Sequence, residues 1–167
     1  SFNEMAFSIK EKIQTIEETQ VQYRMLFENA GDAIFILEAE GENQGQIVSA
    51  NQAAAKMHGY TVEEILKFKI QDLDAPHGMS ELSGRMQRIL NGEWITGEVN
   101  HRRKEGTVFP IEISAGLLEF EDKKYVLAFD KDITERKQVE EALQRAEQLV
   151  SVGVVSAGLA HEIKNPL

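Results

Sequence analysis

Cysteine is absent from this sequence. Disulfides, thiolate nucleophiles, cysteine metal ligands and cysteine-linked chromophores are therefore excluded together. Basic residues are also in short supply: 18 Lys and Arg face 28 Asp and Glu, a formal net charge of −10. Nucleic acid and anionic membrane surfaces need concentrated positive charge, so neither is expected as a partner. No run approaches the ~20 apolar residues of a membrane span, and no signal peptide opens the chain. A cytoplasmic location is expected, with any membrane anchor carried elsewhere in a longer protein. That longer protein is itself expected, because the first residue is Ser rather than Met. There is no glycine-rich phosphate loop, and no two histidines stand at the i, i+4 spacing of a helical metal site.

What is present is enough for one domain with appendages. The 167 residues are 42% apolar, sufficient for a core. Residues 1–29 carry a helical seam. Phe2, Ala6, Ile9, Ile13, Ile16, Gln20, Tyr23 and Phe27 follow one another at spacings of 4 and 3, an a/d heptad pattern. A narrow apolar stripe of this kind calls for a partner helix, and the same helix of a second chain is the expected one. Gln20 is the polar seam residue that would set register. The pattern also fits an amphipathic helix lying on its own domain's sheet.

Asn29 to Asp32 break that helix. Ala33–Leu37 reads as a buried strand, Gly41 to Gly45 as a turn, and 46–50 as the returning strand of a hairpin. Asn51 stands as N-cap of a helix that Gly59 ends. Thr61 and Glu64 have the spacing of a capping box, opening a short helix through Leu66. Ile70–Leu73 is a further helical turn, limited by Pro76. Met79–Leu90 has helical spacing. Three strands follow: 94–104, with Trp94, Thr96, Glu98 and Asn100 on one face and Ile95, Gly97, Val99 and His101 on the other; a strand through Leu117 after the Glu105-Gly106 turn; and Tyr125–Asp130. Five strands with helices in one insert predict an α+β fold, an antiparallel sheet with helices on one face.

Five stretches in this order resemble the PAS domain family. They are Phe27-Glu28-Asn29-Ala30-Gly31-Asp32-Ala33-Ile34, Ala50-Asn51-Gln52-Ala53-Ala54, Gly59-Tyr60-Thr61-Val62-Glu63-Glu64, Arg103-Lys104-Glu105-Gly106-Thr107-Val108-Phe109-Pro110 and Asp132-Ile133-Thr134-Glu135-Arg136. The resemblance covers residues 27–134 and implies a sensor module whose sheet cups a small cavity, with a small-molecule ligand as the expected occupant. Asp132 and Thr134 match the family's signal-exit motif. Their side chains bond nearby backbone donors, which sets how the last strand hands over to the next helix.

From Glu135 a second seam runs through Val139, Leu143, Ala146, Val150, Gly153, Ala157 and Ala160. Residues 135–156 are read as a coiled-coil linker and 1–26 as its N-terminal counterpart. The closing block, His161-Glu162-Ile163-Lys164-Asn165-Pro166-Leu167, resembles the phosphoacceptor motif of sensor histidine kinases. By that resemblance His161 is the phosphoacceptor, Glu162 its acid–base partner, and Asn165 with Glu162 the pair that dephosphorylates a response regulator. Residues 157–167 would begin the phosphoacceptor helix of a homodimeric, bacterial-type two-component kinase. Its ATP-binding domain lies outside this sequence, so no activity is expected of the chain alone, and ATP is the cofactor of the longer protein only.

The remaining candidates concern the sensed cue. Trp94, Asn100 and Arg85 are candidates for lining the pocket, with a flavin or another small ligand as occupant; Trp94 is also read as a ring packing the sheet's edge. His58 is assigned a helix-end or packing role. His77 is a haem-ligand candidate through the resemblance. His101, beside Arg102, Arg103 and Lys104, is expected on a solvated face. Two alternatives to the kinase-sensor reading stand: a dimerisation or ligand-binding module without its own sensing chemistry, and a flavin- or haem-binding redox sensor.

Overall fold

The structure, a computed structural model, describes residues 1–76 and 79–164. It divides into a unit spanning Ser1–Asp132 and a second that begins at Ile133.

The first unit opens with helix α1 (Phe2–Glu28), none of whose residues is buried. Strands β1 (Ala33–Glu38), β2 (Ile47–Ala50), β3 (Ile95–Arg102), β4 (Val108–Phe120) and β5 (Lys123–Asp132) form one sheet in the order β2-β1-β5-β4-β3. All neighbours are antiparallel. The expected hairpin and meander are both there, joined by β1 against β5. That pairing sets Ala33 opposite Asp130 and Leu37 opposite Val126.

Helices α2 (Gln52–His58), α3 (Val62–Ile65) and α4 (Met79–Leu90), with a 3-10 turn at Ile70–Asp72, occupy the insert between β2 and β3. Their apolar side chains Ala54, Ile65, Met86 and Ile89 share one core with Phe35, Leu37, Ile95 and Val126 of the sheet. Local chemistry sets the helix ends as expected. Gly59 closes α2 at φ 78°, a left-handed conformation that favours glycine. Thr61 and Glu64 form the reciprocal capping box at 3.0 and 3.2 Å.

Asn51 does more than cap. Its Oδ1 accepts from Ala54 N and Ile34 N, and its Nδ2 donates to Phe27 O and Asp32 O, each at 3.0 Å. Two donors and two acceptor sites are an amide's whole capacity, and here all are used. One fully buried side chain thus ties together the end of α1, the start of β1 and the start of α2.

Strands β4 and β5 run further than the sequence pattern predicts. Their connection turns through Glu121 at φ 47° and Asp122 at φ 60°. Two successive left-handed residues make a tight hairpin whose twist matches the strands, in the polar Glu121-Asp122-Lys123 stretch that the residue pattern marks as a turn.

The second unit contains helix α5 (Thr134–Lys164). Its seam residues Val139, Leu143 and Val150 are exposed.

Candidate functional site

A cavity of about 50 Å³ lies between the inner face of the sheet and α4. Most of its wall is aliphatic, including Leu37, Met86, Ile95 and Val126. Four polar side chains also face it: Asp74, Arg85, His101 and Asp130.

Each arrives by an identifiable route. On β5, Val126, Ala128 and Asp130 alternate onto the buried face, so a carboxylate takes a place in an apolar row. His101 follows Ile95 and Val99 onto the same face from β3. Asp74 comes from the loop before α4, which pairs with the free edge of β3. Ala75 N donates to Asn100 O at 2.9 Å and Arg102 N to Leu73 O at 2.8 Å, which covers that edge. Arg85 reaches in from α4.

The bonding runs in a chain. His58 Nδ1 lies 2.9 Å from Ala54 O, and His58 Nε2 lies 2.9 Å from His101 Nδ1. A carbonyl only accepts, so His58 carries its proton on Nδ1 and receives a second bond from the His101 Nδ1–H. His101 Nε2 is left facing Asp74 Oδ1 at 3.4 Å. Arg85 Nη2 is 3.7 Å from Asp74 Oδ2, and Asp130 Oδ2 is 3.9 Å from His101 Nδ1. Burial holds His58 down at about 4, and the neighbouring His101 adds to that. Burial pushes the Asp130 carboxyl up to about 6; His101 and Arg85 oppose this and Asp74 adds to it. Among the described residues, Asp74 Oδ2, Asp130 Oδ2, Arg85 Nε and Arg85 Nη1 are buried without a hydrogen-bond partner. No group of three or more His, Asp or Glu among the described residues is arranged to hold a metal ion.

The structure corrects three sequence expectations. His101 is not on a solvated face; it is 2% exposed, because the strand's alternation outweighs the basic run that follows it. Trp94 and Asn100 do not line the cavity. Asn100 is exposed on the opposite face of β3. Trp94 packs over Gly116 on the sheet's outer side, donating from Nε1 to Ser114 Oγ at 2.8 Å, with Phe129 at 6.4 Å between ring centroids. Of the three pocket candidates, Arg85 alone lies at the cavity. His58 has the packing role assigned to it, set between Phe35 and Phe109 in edge-on contacts.

At the end of β5, Asp132 receives a 2.6 Å bond from Arg103 Nη2. Arg103 also bonds Met57 O at the end of α2 and stacks 3.7 Å over the Phe109 ring. Thr134 is the first residue of α5. His161 and Glu162 are exposed on that helix. His77, Asn165 and Pro166 lie outside the described residues.

Asp74, Asp130 and the His58–His101 pair were not singled out from sequence. Asp130 had a signal, since it continues the alternation of Val126 and Ala128. Asp74 had none, because its place depends on a loop meeting an edge strand 27 positions later, at the isolated Asp74–His101 bridge.

Comparison with known proteins places this architecture. Residues 31–135 match the family described as the PAS domain. The chain is 30% identical over 160 residues to Sporulation kinase E of Bacillus subtilis, covering 91% of this chain and 20% of that protein. It is 30% identical over 152 residues to the Methyl sulfide methyltransferase-associated sensor of Methanosarcina acetivorans, covering 89% of this chain and 15% of that protein. The chain thus spans about a fifth or less of these two curated relatives. Among solved structures, the PAS domain of an HTR-like protein from Haloarcula marismortui superposes with a TM-score of 0.66 at 26% identity, over 74% of this chain and 99% of that one. With a five-stranded antiparallel sheet that closes over a small cavity, and a match across 31–135, the chain belongs to the PAS domain family.

Proposed function

We propose that this chain is the sensor region of a two-component histidine kinase. Residues 27–134 form the sensing module and 135–156 the signalling linker. Residues 157–167 begin the phosphoacceptor helix, with His161 accepting phosphate. The observation that carries this reading is the His161-to-Leu167 block following a PAS domain, in a chain similar to a protein named a sporulation kinase. Exposure of His161 supports it, since a phosphoacceptor must be presented to an enzyme. Glu162, next to it, is the acid–base partner, and Asn165 joins Glu162 in dephosphorylating a response regulator.

The cavity at Asp74, Arg85, His101 and Asp130 takes the small-molecule cue. Its relay outward runs through His58 and Arg103, both anchored on α2, to Asp132 and then Thr134. The chain acts as a homodimer through α1 and α5. Ile9, Ile13 and Ile16 of α1 are each at least half exposed, an arrangement that favours a partner helix. The module works on the cytoplasmic side; no helix among the described residues is long and apolar enough to cross a membrane.

The test uses the longer protein with its ATP-binding domain. His161→Gln should abolish transfer of the γ-phosphate of ATP to the protein while ATP binding persists. Phosphorylation that survives the substitution refutes the assignment of His161.

A further inference from the structure

Four buried atoms of side chains that line the cavity make no hydrogen bond, although Asp74 Oδ2 has an ion-pair contact with Arg85 Nη2 at 3.7 Å. Two are acceptors, Asp74 Oδ2 and Asp130 Oδ2; two are donors, Arg85 Nε and Nη1. The Asp74 and Asp130 side chains are 2% and 3% exposed. Buried polar atoms without partners are strongly disfavoured, so a cluster of them on side chains that line one void favours a polar occupant. The void is several times the ~10–15 Å³ that a single water requires.

We propose that the cavity binds a short aliphatic acid with an amino or hydroxyl group beside its carboxylate: the carboxylate on Arg85, the amino or hydroxyl donor on Asp130 and Asp74. This rests on the reading of the cavity as a ligand pocket. A plain carboxylic acid would set a third anion beside two aspartates and leave both acceptors unanswered. A plain amine would leave the Arg85 N–H groups unanswered. A hydrocarbon would answer none of the four. Only a molecule with both functions pairs acceptors and donors together. The two functions must be close, because Arg85 Nη2 stands only 3.7 Å from Asp74 Oδ2. The body must be short and aliphatic, because the void is about 50 Å³ and its wall holds Leu37, Met86, Ile95 and Val126, with no Phe, Tyr or Trp among the described lining residues.

The test is calorimetric titration and thermal denaturation of the whole chain with a matched probe set. L-Alanine, L-valine and 2-hydroxyisovalerate carry both functions. Isovalerate lacks the donor, isobutylamine lacks the carboxylate, and cyclopentane lacks both. Native mass spectrometry of the purified protein runs alongside to detect a retained molecule. A two-function probe should bind at least tenfold more tightly than any of the other three. Arg85→Met should erase that preference, and Arg85→Lys should keep a weakened form of it. Asp130→Asn should also erase it; the two Arg85 variants carry the test if that variant folds poorly. Equal or tighter binding of isovalerate, isobutylamine or cyclopentane, or a retained molecule of other chemistry, overturns the ligand class while the pocket reading stands. Indifference of binding to Arg85→Met does the same. If no probe binds and nothing is retained, the orphaned atoms hold water, and the pocket reading falls as well.

Discussion

His58 Nε2 and His101 Nδ1 are 2.9 Å apart, both rings buried, and through that bond α2 and β3 meet inside the core. One side of the pair leads to the cavity carboxylates. The other leads to α2, where Arg103 bonds the Met57 carbonyl and continues to Asp132. The polar contacts of the cavity and those of the end of the last strand thus meet on α2.

Acid should act on this run with two opposing signs. His58 is held at about 4 against an ordinary 6.5, so between those values the unfolded chain takes up a proton that the fold refuses, and acid weakens the fold. Asp130 is held at about 6 against 3.8, so there the fold takes up the proton first, and acid strengthens it. Each slope is at most about 1.4 kcal/mol per pH unit, and over their common range they offset. Asp130→Asn removes the second. Relative to the parent, its stability should fall as pH drops from 6 to 4.5. Urea midpoints of both proteins across that range give the difference, in which the surface carboxylates cancel. A flat difference would mean that Asp130 does not titrate as placed.

Asn51→Ala should destabilise the first unit by about 3 kcal/mol or more. It removes an N-cap, worth about 1 kcal/mol, and leaves the Phe27 and Asp32 carbonyls and the Ile34 N–H without that partner. Asn51→Asp keeps the acceptor and loses both donors, so it should also destabilise, with a buried charge added. Equilibrium urea unfolding measures both; a loss under 1 kcal/mol for the alanine variant would contradict the role given to this side chain.

Gly116→Ala should displace Trp94. A Cβ at position 116 would overlap the six-membered ring of the indole, which must then leave its seat and its bond to Ser114. The chain has one tryptophan, so its fluorescence reports this directly. A red shift is expected, with a stability loss of about 1–2 kcal/mol as for overpacking elsewhere. An unchanged spectrum would mean that the indole does not lie over Gly116.

The seam on α1 should be sensitive to charge. Ile13→Lys with Ile16→Lys is expected to weaken self-association at least tenfold in sedimentation equilibrium, with the circular dichroism of the sheet unchanged. Ser8→Lys, on the same helix but off the seam, is the control and should leave association as it was. Equal association constants for all three proteins would remove α1 from the dimer contact.

The local parts of the fold were readable from residue order. Asn51, Gly59, Thr61 and Glu64 announce three helix boundaries because caps bond within a few residues of themselves. The alternation of β3 and β4 announces their faces because successive side chains must point to opposite sides of a pleated strand. At His101 two signals conflict. Its period places it with Ile95 and Val99, but its neighbours Arg102, Arg103 and Lys104 argue for solvent. The pleat prevailed because it is set by backbone geometry. The cations of Arg103 and Lys104 find surface or half-buried partners on flexible stems, Asp132 and Glu64.

What residue order determined, then, was each element's kind, the capped helix ends and the alternation of the strands, together with the helical seams and the His161 block. It could not determine the company kept by His58, Asp74, Arg85, His101 and Asp130. Those five come from α2, a loop, α4, β3 and β5. They meet only because β1 pairs with β5 and the Leu73–Ala75 segment pairs with β3. Such long-range pairings are selected by the total burial of the closed sheet rather than by any residue's neighbours in the chain, so the polar site inside the apolar core became visible only with the fold complete.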